Sequence, residues 1–254
     1  MRSRFLTMTL CVAALPLLAA DETILQIPPM KSSLDVKGQP VSITASGTIS
    51  RSPNAWGQDA YRIKVNADLS DLQQHLTEIL KAQLNKADRC GETIEIQQAT
   101  LTPAEPSGLL TAHLHYERSV CAKAFGRQIN KRMVAGNGVV EVKLTPTVEA
   151  NKTVRLVPEV GRIEADGSLG EMLRSGSLGD KLREKIEESL MTSIQKAANL
   201  NSTLPPSIQD RVSLESARFT DGGSGHLAVV VTGDVKITAE QAKSLAAVLA
   251  RRVN

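Results

Sequence analysis

The sequence predicts an α+β fold in which the amphipathic strands of an antiparallel sheet pack with two amphipathic helices, and three observations predict it. Apolar residues recur at every second position in runs along both halves of the chain, the mark of strands with one wet face. In two longer segments they recur at three-to-four spacing instead, the mark of helices with one oily face. Only 2% of the residues are aromatic, so Leu, Ile, Val and Ala must fill the core.

The chain opens MRSRFLTMTLCVAALPLLAADET, with Arg2 and Arg4 ahead of an apolar run from Phe5 to Leu18 and the small Ala19 and Ala20 before Asp21. That is the layout of a secretory signal peptide. The run is about 14 residues, shorter than the roughly 20 that a bilayer span needs. Cys11 follows Thr9 and Leu10, where a lipoprotein signal needs small residues. The expectation is a leader over 1–20, a periplasmic or secreted mature chain over 21–254, and no transmembrane segment after leader removal. Losing the leader takes away Arg2 and Arg4 and leaves 28 basic residues against 27 acidic. A near-neutral chain poor in aromatics lacks both the positive field and the stacking side chains of nucleic-acid binding, so no nucleic-acid partner is expected.

From 21 to 69 the pattern is that of strands. VSITASGTI turns Val41, Ile43, Ala45, Gly47 and Ile49 inward, and DAYRIKVNADL does the same with Tyr61, Ile63, Val65, Ala67 and Leu69. The loop between them carries Trp56, read as a partly buried loop anchor or as a membrane or ligand contact. SDLQQHLTEILKAQLNKAD then sets Leu72, Leu76, Ile79, Leu80 and Leu84 on one helical face over 70–86, with Ser70 and Gln73 as a capping box. Period two returns with Ile94 and Ile96, with Leu110, Ala112, Leu114 and Tyr116, with Val140, Val142 and Leu144, and with Val154, Leu156 and Val160. Turns are expected at Pro103 to Gly108, Gly136 to Gly138 and Glu149 to Lys152. SLGEMLR at Ser168 and SLGDKLR at Ser177 echo each other, each opening with a capping box, Ser168 with Glu171 and Ser177 with Asp180. From Leu178 the line Leu182, Ile186, Leu190, Ile194 and Ala197 predicts the longer second helix. Two strands joined by TDGGSG follow, and 238–254 predicts a short C-terminal helix. No linker composition splits the chain, so 21–254 is expected to be one domain, with N-terminal strands over 21–69 and a helix and sheet module over 70–237.

After the leader two cysteines remain, Cys90 and Cys121, and an even count in an exported chain reads as a disulfide. Closing about 31 residues would stabilise the fold by roughly 3 to 4 kcal/mol in the chain-entropy account. The segment TAHLHYERSVC places His113, His115 and Glu117 on one strand face in steps of about 7 Å, a set that could bind a metal edge-on with help from another strand. The solvated side of an ordinary strand accounts for them as well. Around Ser224, TDGGSGH fails as a nucleophile elbow, because a strand follows where a helix is required. AGNGVVE fails as a phosphate loop for the same reason.

The order of elements, together with RCGETIEI (Arg89 to Ile96), YERSVCAK (Tyr116 to Lys123) and SLGEMLRSGSLGDKLREKI (Ser168 to Ile186), resembles the tubular lipid-binding (TULIP) superfamily and uncharacterised exported bacterial proteins thought to be related to it. The resemblance covers roughly Ser70 to Ile237, with room for one such module. It implies a curved antiparallel sheet packed around the two amphipathic helices and a groove for acyl chains, and it supplies no catalytic residue and no cofactor. On this reading the protein is a non-enzymatic envelope protein binding a lipid or other hydrophobic ligand, with Leu76, Ile79, Leu80, Leu182, Ile186, Leu190 and Ile194 as candidate lining. The same residues serve equally as ordinary core. The alternative is a structural or protein-interaction module of the cell envelope with a filled interior and an envelope protein as partner. A metal-dependent protein built on His113, His115 and Glu117 is a third reading.

Overall fold

Alternating sequence becomes strand throughout the described part of the chain. The structure, a computed structural model, describes residues 23–36, 38–51, 60–85, 91–124, 127–150, 153–174, 212–236, 238 and 240. In order these form β1 (Thr23–Val36), β2 (Gln39–Arg51), β3 (Ala60–Asp68), α1 (Ser70–Leu84), β4 (Gly91–Ala104), β5 (Ser107–Ala124), β6 (Arg127–Glu149), β7 (Thr153–Ala165), α2 (Gly167–Arg174), β8 (Val212–Asp221) and β9 (Leu227–Lys236).

The strands divide into two antiparallel sheets, one in the order β1-β2-β3-β9-β8 and one in the order β4-β5-β6-β7. The N-terminal strands therefore pair with the C-terminal ones: Tyr61 of β3 lies opposite Val235 of β9, and Ala67 opposite Val229. Inward residues of both sheets share one apolar core, with Ile49, Tyr61 and Ile63 from the first, Leu110, Leu114 and Val142 from the second, and Leu214 and Phe219 from β8. The core is mostly aliphatic, as the composition requires, with Tyr61, Tyr116 and Phe219 as its aromatic members among the described residues.

The expected single curved sheet around two amphipathic helices is overturned. The described chain is mostly strand in two sheets, with a helix of 15 residues and one of 8. Its first helix is not enclosed. α1 lies along the outer edge of β4 and against β2, burying Leu76, Ile79 and Leu80. The predicted longer helix with Leu182, Ile186, Leu190 and Ile194, the loop with Trp56, the leader and nearly all of the C-terminal helix lie outside the described residues.

Placing α1 on a sheet edge explains a second correction. The helix begins where predicted, but its N-cap is Leu69, with no side-chain cap bond, and the Asp68 carboxylate accepts from the Ser70 N–H instead. Gln73 caps nothing. Its Nε2 donates to the carbonyls of Leu101 in β4 and Gly225 in the β8–β9 turn, while its Oε1 accepts from Leu227 N–H at the head of β9. One turn on, the Thr77 hydroxyl both donates to Ala99 C=O and accepts from Ala99 N–H, and beyond the helix end Asn85 Oδ1 accepts from Ile96 N–H. Residues 73, 77 and 85 fall on one side of the helix at multiples of four. They satisfy the outward backbone groups of a strand that has no sheet neighbour there among the described residues, which is one of the ways an exposed edge is kept from pairing with another chain.

β4 itself carries an irregularity that its sequence encodes. Ile94 and Ile96 are even-numbered and Ala99 and Leu101 odd, so the apolar parity changes between them. The register shifts between Ile96 and Gln98, and this bulge returns Ala99 and Leu101 to the buried face.

The expected turn at Gly136 to Gly138 is also overturned: these residues lie inside β6, a continuous strand of 23 residues. The glycine serves close packing rather than a reversal. Ala135 and Asn137 hold the start of α2, the Ser168 hydroxyl donating to Ala135 C=O and Asn137 N–H to Asp166 Oδ1, so Ser168 forms no capping box with Glu171. A Cβ on Gly136 would stand 2.8 Å from both Asp166 O and Leu169 Cβ. The turns at Glu105–Pro106 and at Ala150 are present as expected. The first is tied to the other sheet, since Pro106 C=O accepts from Phe219 N–H and the Glu105 carboxylate from Asp221 N–H.

Two outcomes test this arrangement. Gln73→Ala strands backbone groups of β4 and β9, and urea denaturation is expected to show a loss of about 1 to 3 kcal/mol. Gly136→Ala pushes on Asp166 and Leu169 and is expected to cost about 1 to 3 kcal/mol, whereas Gly161→Ala, whose new Cβ would meet only Glu141 O at 3.5 Å, is expected to stay within about 0.5 kcal/mol of the parent.

Candidate functional site

β5 presents the predicted alternation: Leu110, Ala112, Leu114 and Tyr116 are buried, and His113, His115 and Glu117 face the other way. Each polar member is engaged locally or open to water. His115 Nδ1 stands 2.9 Å from Asn137 Oδ1 on the neighbouring β6, and His113 is exposed. The Glu117 carboxylate accepts from the Ser119 hydroxyl at 3.1 Å and lies 3.7 Å from Arg132 Nη1. Among the described residues no three of His, Cys, Asp and Glu gather closely enough to hold a metal ion. One strand cannot converge three side chains that step outward along it; β6 sets Asn137 and Ala135 opposite His115 and Glu117, and β4 sets Glu95 opposite His115 but Gln98 and Thr93 opposite His113 and Glu117.

The candidate lining residues fall into two groups. Leu76, Ile79 and Leu80 are 8%, 3% and 5% exposed, and Leu76 and Leu80 belong to the shared core. Leu182, Ile186, Leu190 and Ile194 lie outside the described residues. Among the described residues no helix is long and apolar enough to cross a membrane.

Cys121 sits on β5, two residues beyond Ser119, and Ser119 pairs with Gly91 at the start of β4. Cys90, the residue before Gly91, lies outside the described residues.

Motif reasoning missed what surrounds Cys121. From Ser119 the hairpin of β5 and β6 continues as an arm through six register pairs, Ser119↔Arg132 to Ala124↔Arg127, the last five of them two-stranded among the described residues. Within the described residues β4 begins at the level of Ser119, and β7 leaves β6 at Gly138. The signal was present in the sequence as a run of 17 residues, Arg118 to Val134, with five basic residues and no Asp or Glu. No family model matches the chain, and no curated protein matches it.

Proposed function

We propose that the protein is a non-enzymatic module of the cell envelope that works through its surface, with its interior filled by its own side chains. The observation that carries this reading is the burial of the α1 face. Leu76, Ile79 and Leu80 are covered by β2 and β4, and the core that takes in Leu76 and Leu80 is built from both sheets. A groove for acyl chains between helix and sheet needs that face uncovered. Burial of three aliphatic side chains contributes roughly 1.5 to 3 kcal/mol each to folding, so opening the face to a ligand would forfeit stability of that order before any binding energy is gained. The leader-like N-terminus supports placement in the envelope, periplasmic or secreted.

We propose further that Cys90 and Cys121 form a disulfide that clasps the root of the β5–β6 arm. Register supports it: Gly91, the residue covalently next to Cys90, lies opposite Ser119, two residues before Cys121.

Mass spectrometry of organic extracts from mature protein purified without detergent is expected to show no stoichiometric lipid. A co-purifying lipid at one equivalent would overturn the filled-interior reading in favour of a hydrophobic ligand. Thiol titration of the oxidised mature protein is expected to find no free thiol, and reduction is expected to lower stability by roughly 2 to 4 kcal/mol. Two reactive thiols in the native protein would sink the disulfide.

A further inference from the structure

The β5–β6 arm combines two surface features. Extended strands rise about 3.3 Å per residue, so six register pairs reach roughly 20 Å. Over its length and root the sequence is basic, five Lys and Arg with no acid between Arg118 and Val134. Large exposed hydrophobics among the described residues are Val120, at 50% exposure, Met133, at 55%, and Val157. Two of these three are on the arm. Val120 lies directly opposite Lys131, which is exposed, and Met133 is the extra residue of the bulge where Arg118↔Val134 gives way to Ser119↔Arg132. Arg118 is exposed beside it. Two acids lie at the root: Glu117 stands near Arg132, and Glu92 of β4 lies opposite Arg118 in register, while Lys131 stands opposite Val120.

Aliphatic side chains interleaved with cations suit one environment better than others. At the surface of an anionic bilayer, Lys and Arg meet lipid phosphates while neighbouring apolar groups enter the boundary of the acyl chains. Each cation near such a surface adds attraction that falls away within a Debye length, so the contact is salt-sensitive. Nucleic acid would call on aromatic stacking, and the described part of the arm exposes Val and Met instead.

From this charge complementarity we propose that Arg118, Val120, Lys131, Arg132 and Met133 form a docking site for an anionic phospholipid surface, the arm entering the interface and the two-sheet body staying in water. The inference rests on the surface-acting reading of the protein and names its partner.

The test is co-sedimentation of the mature chain with vesicles of phosphatidylglycerol or of phosphatidylcholine. Binding is expected to phosphatidylglycerol alone and to weaken at least tenfold between low salt and 0.5 M salt. Arg118→Glu with Lys131→Glu is expected to weaken it at least tenfold, and Met133→Ser several-fold, while Val157→Ser, away from the arm, leaves it unchanged. Melting curves show which variants fold, and Lys131→Gln serves if the double reversal does not. No binding to phosphatidylglycerol, equal binding to phosphatidylcholine, or folded arm variants that bind like the parent would overturn the proposal. Vesicle-bound protein in the pellet reports on the arm, and phospholipid carried by protein in the supernatant reports on the filled interior, so the two ideas can fail separately.

Discussion

The structure depends on satisfying the outer backbone of β4. A strand at the end of a sheet presents N–H and C=O groups that either meet water, recruit another chain or are covered. Here α1 covers them with side chains rather than with a further strand. Gln73, Thr77 and Asn85 bond the backbone of Leu101, Ala99 and Ile96 in turn. Each such bond contributes about 1 kcal/mol net when made and costs more if one partner is left buried and alone. The helix also turns Leu76 and Leu80 into the core, so polar and apolar surfaces of one short element are both committed. Gln73 extends the commitment to the other sheet by accepting from Leu227 N–H.

The two sheets are joined at a few further points of the same kind. Leu69 N–H donates to Leu227 C=O, Ser42 N–H to the Asp71 carboxylate, Phe219 N–H to Pro106 C=O and Asp221 N–H to the Glu105 carboxylate. These join α1 to β2 and β9, and the β4–β5 turn to β8. With the core continuous between the sheets, this stitching gives the N-terminal and C-terminal thirds of the described chain a shared fate, since β3 and β9 pair along their lengths. The hairpin arm stands apart from that network. Past Ser119 its two strands pair with one another in register as far as Ala124 and Arg127.

Much of the secondary structure was legible in the sequence because periodicity is a local property. The alternation in β3 and β5 put Tyr61, Ile63, Leu114 and Tyr116 inside, and the spacing in α1 put Leu76, Ile79 and Leu80 inside. Even the β4 bulge is written in the change of parity between Ile96 and Ala99. The candidate metal face was legible as a face and no further: alternation places His113, His115 and Glu117 together, but whether neighbouring strands bring more ligands depends on which residues of β4 and β6 stand opposite. Gln73 was legible as a polar residue in a first helical turn, where a capping box is the nearest local use for it, and its actual acceptors lie 28 and 152 residues away.

The sequence by itself determined the aliphatic core, the inward set of each strand and the extent of α1, because these follow from side-chain chemistry within a few residues. Only the tertiary structure decided that the strands form two sheets instead of one, that Gly136 lies inside β6 under α2, and that the basic run from Arg118 to Val134 forms a two-stranded arm. Amphipathic strands are nearly interchangeable as partners, and pairing is settled by register, edge coverage and close approach between segments far apart in the chain. Those are sums over the whole molecule, which no single stretch of the sequence contains.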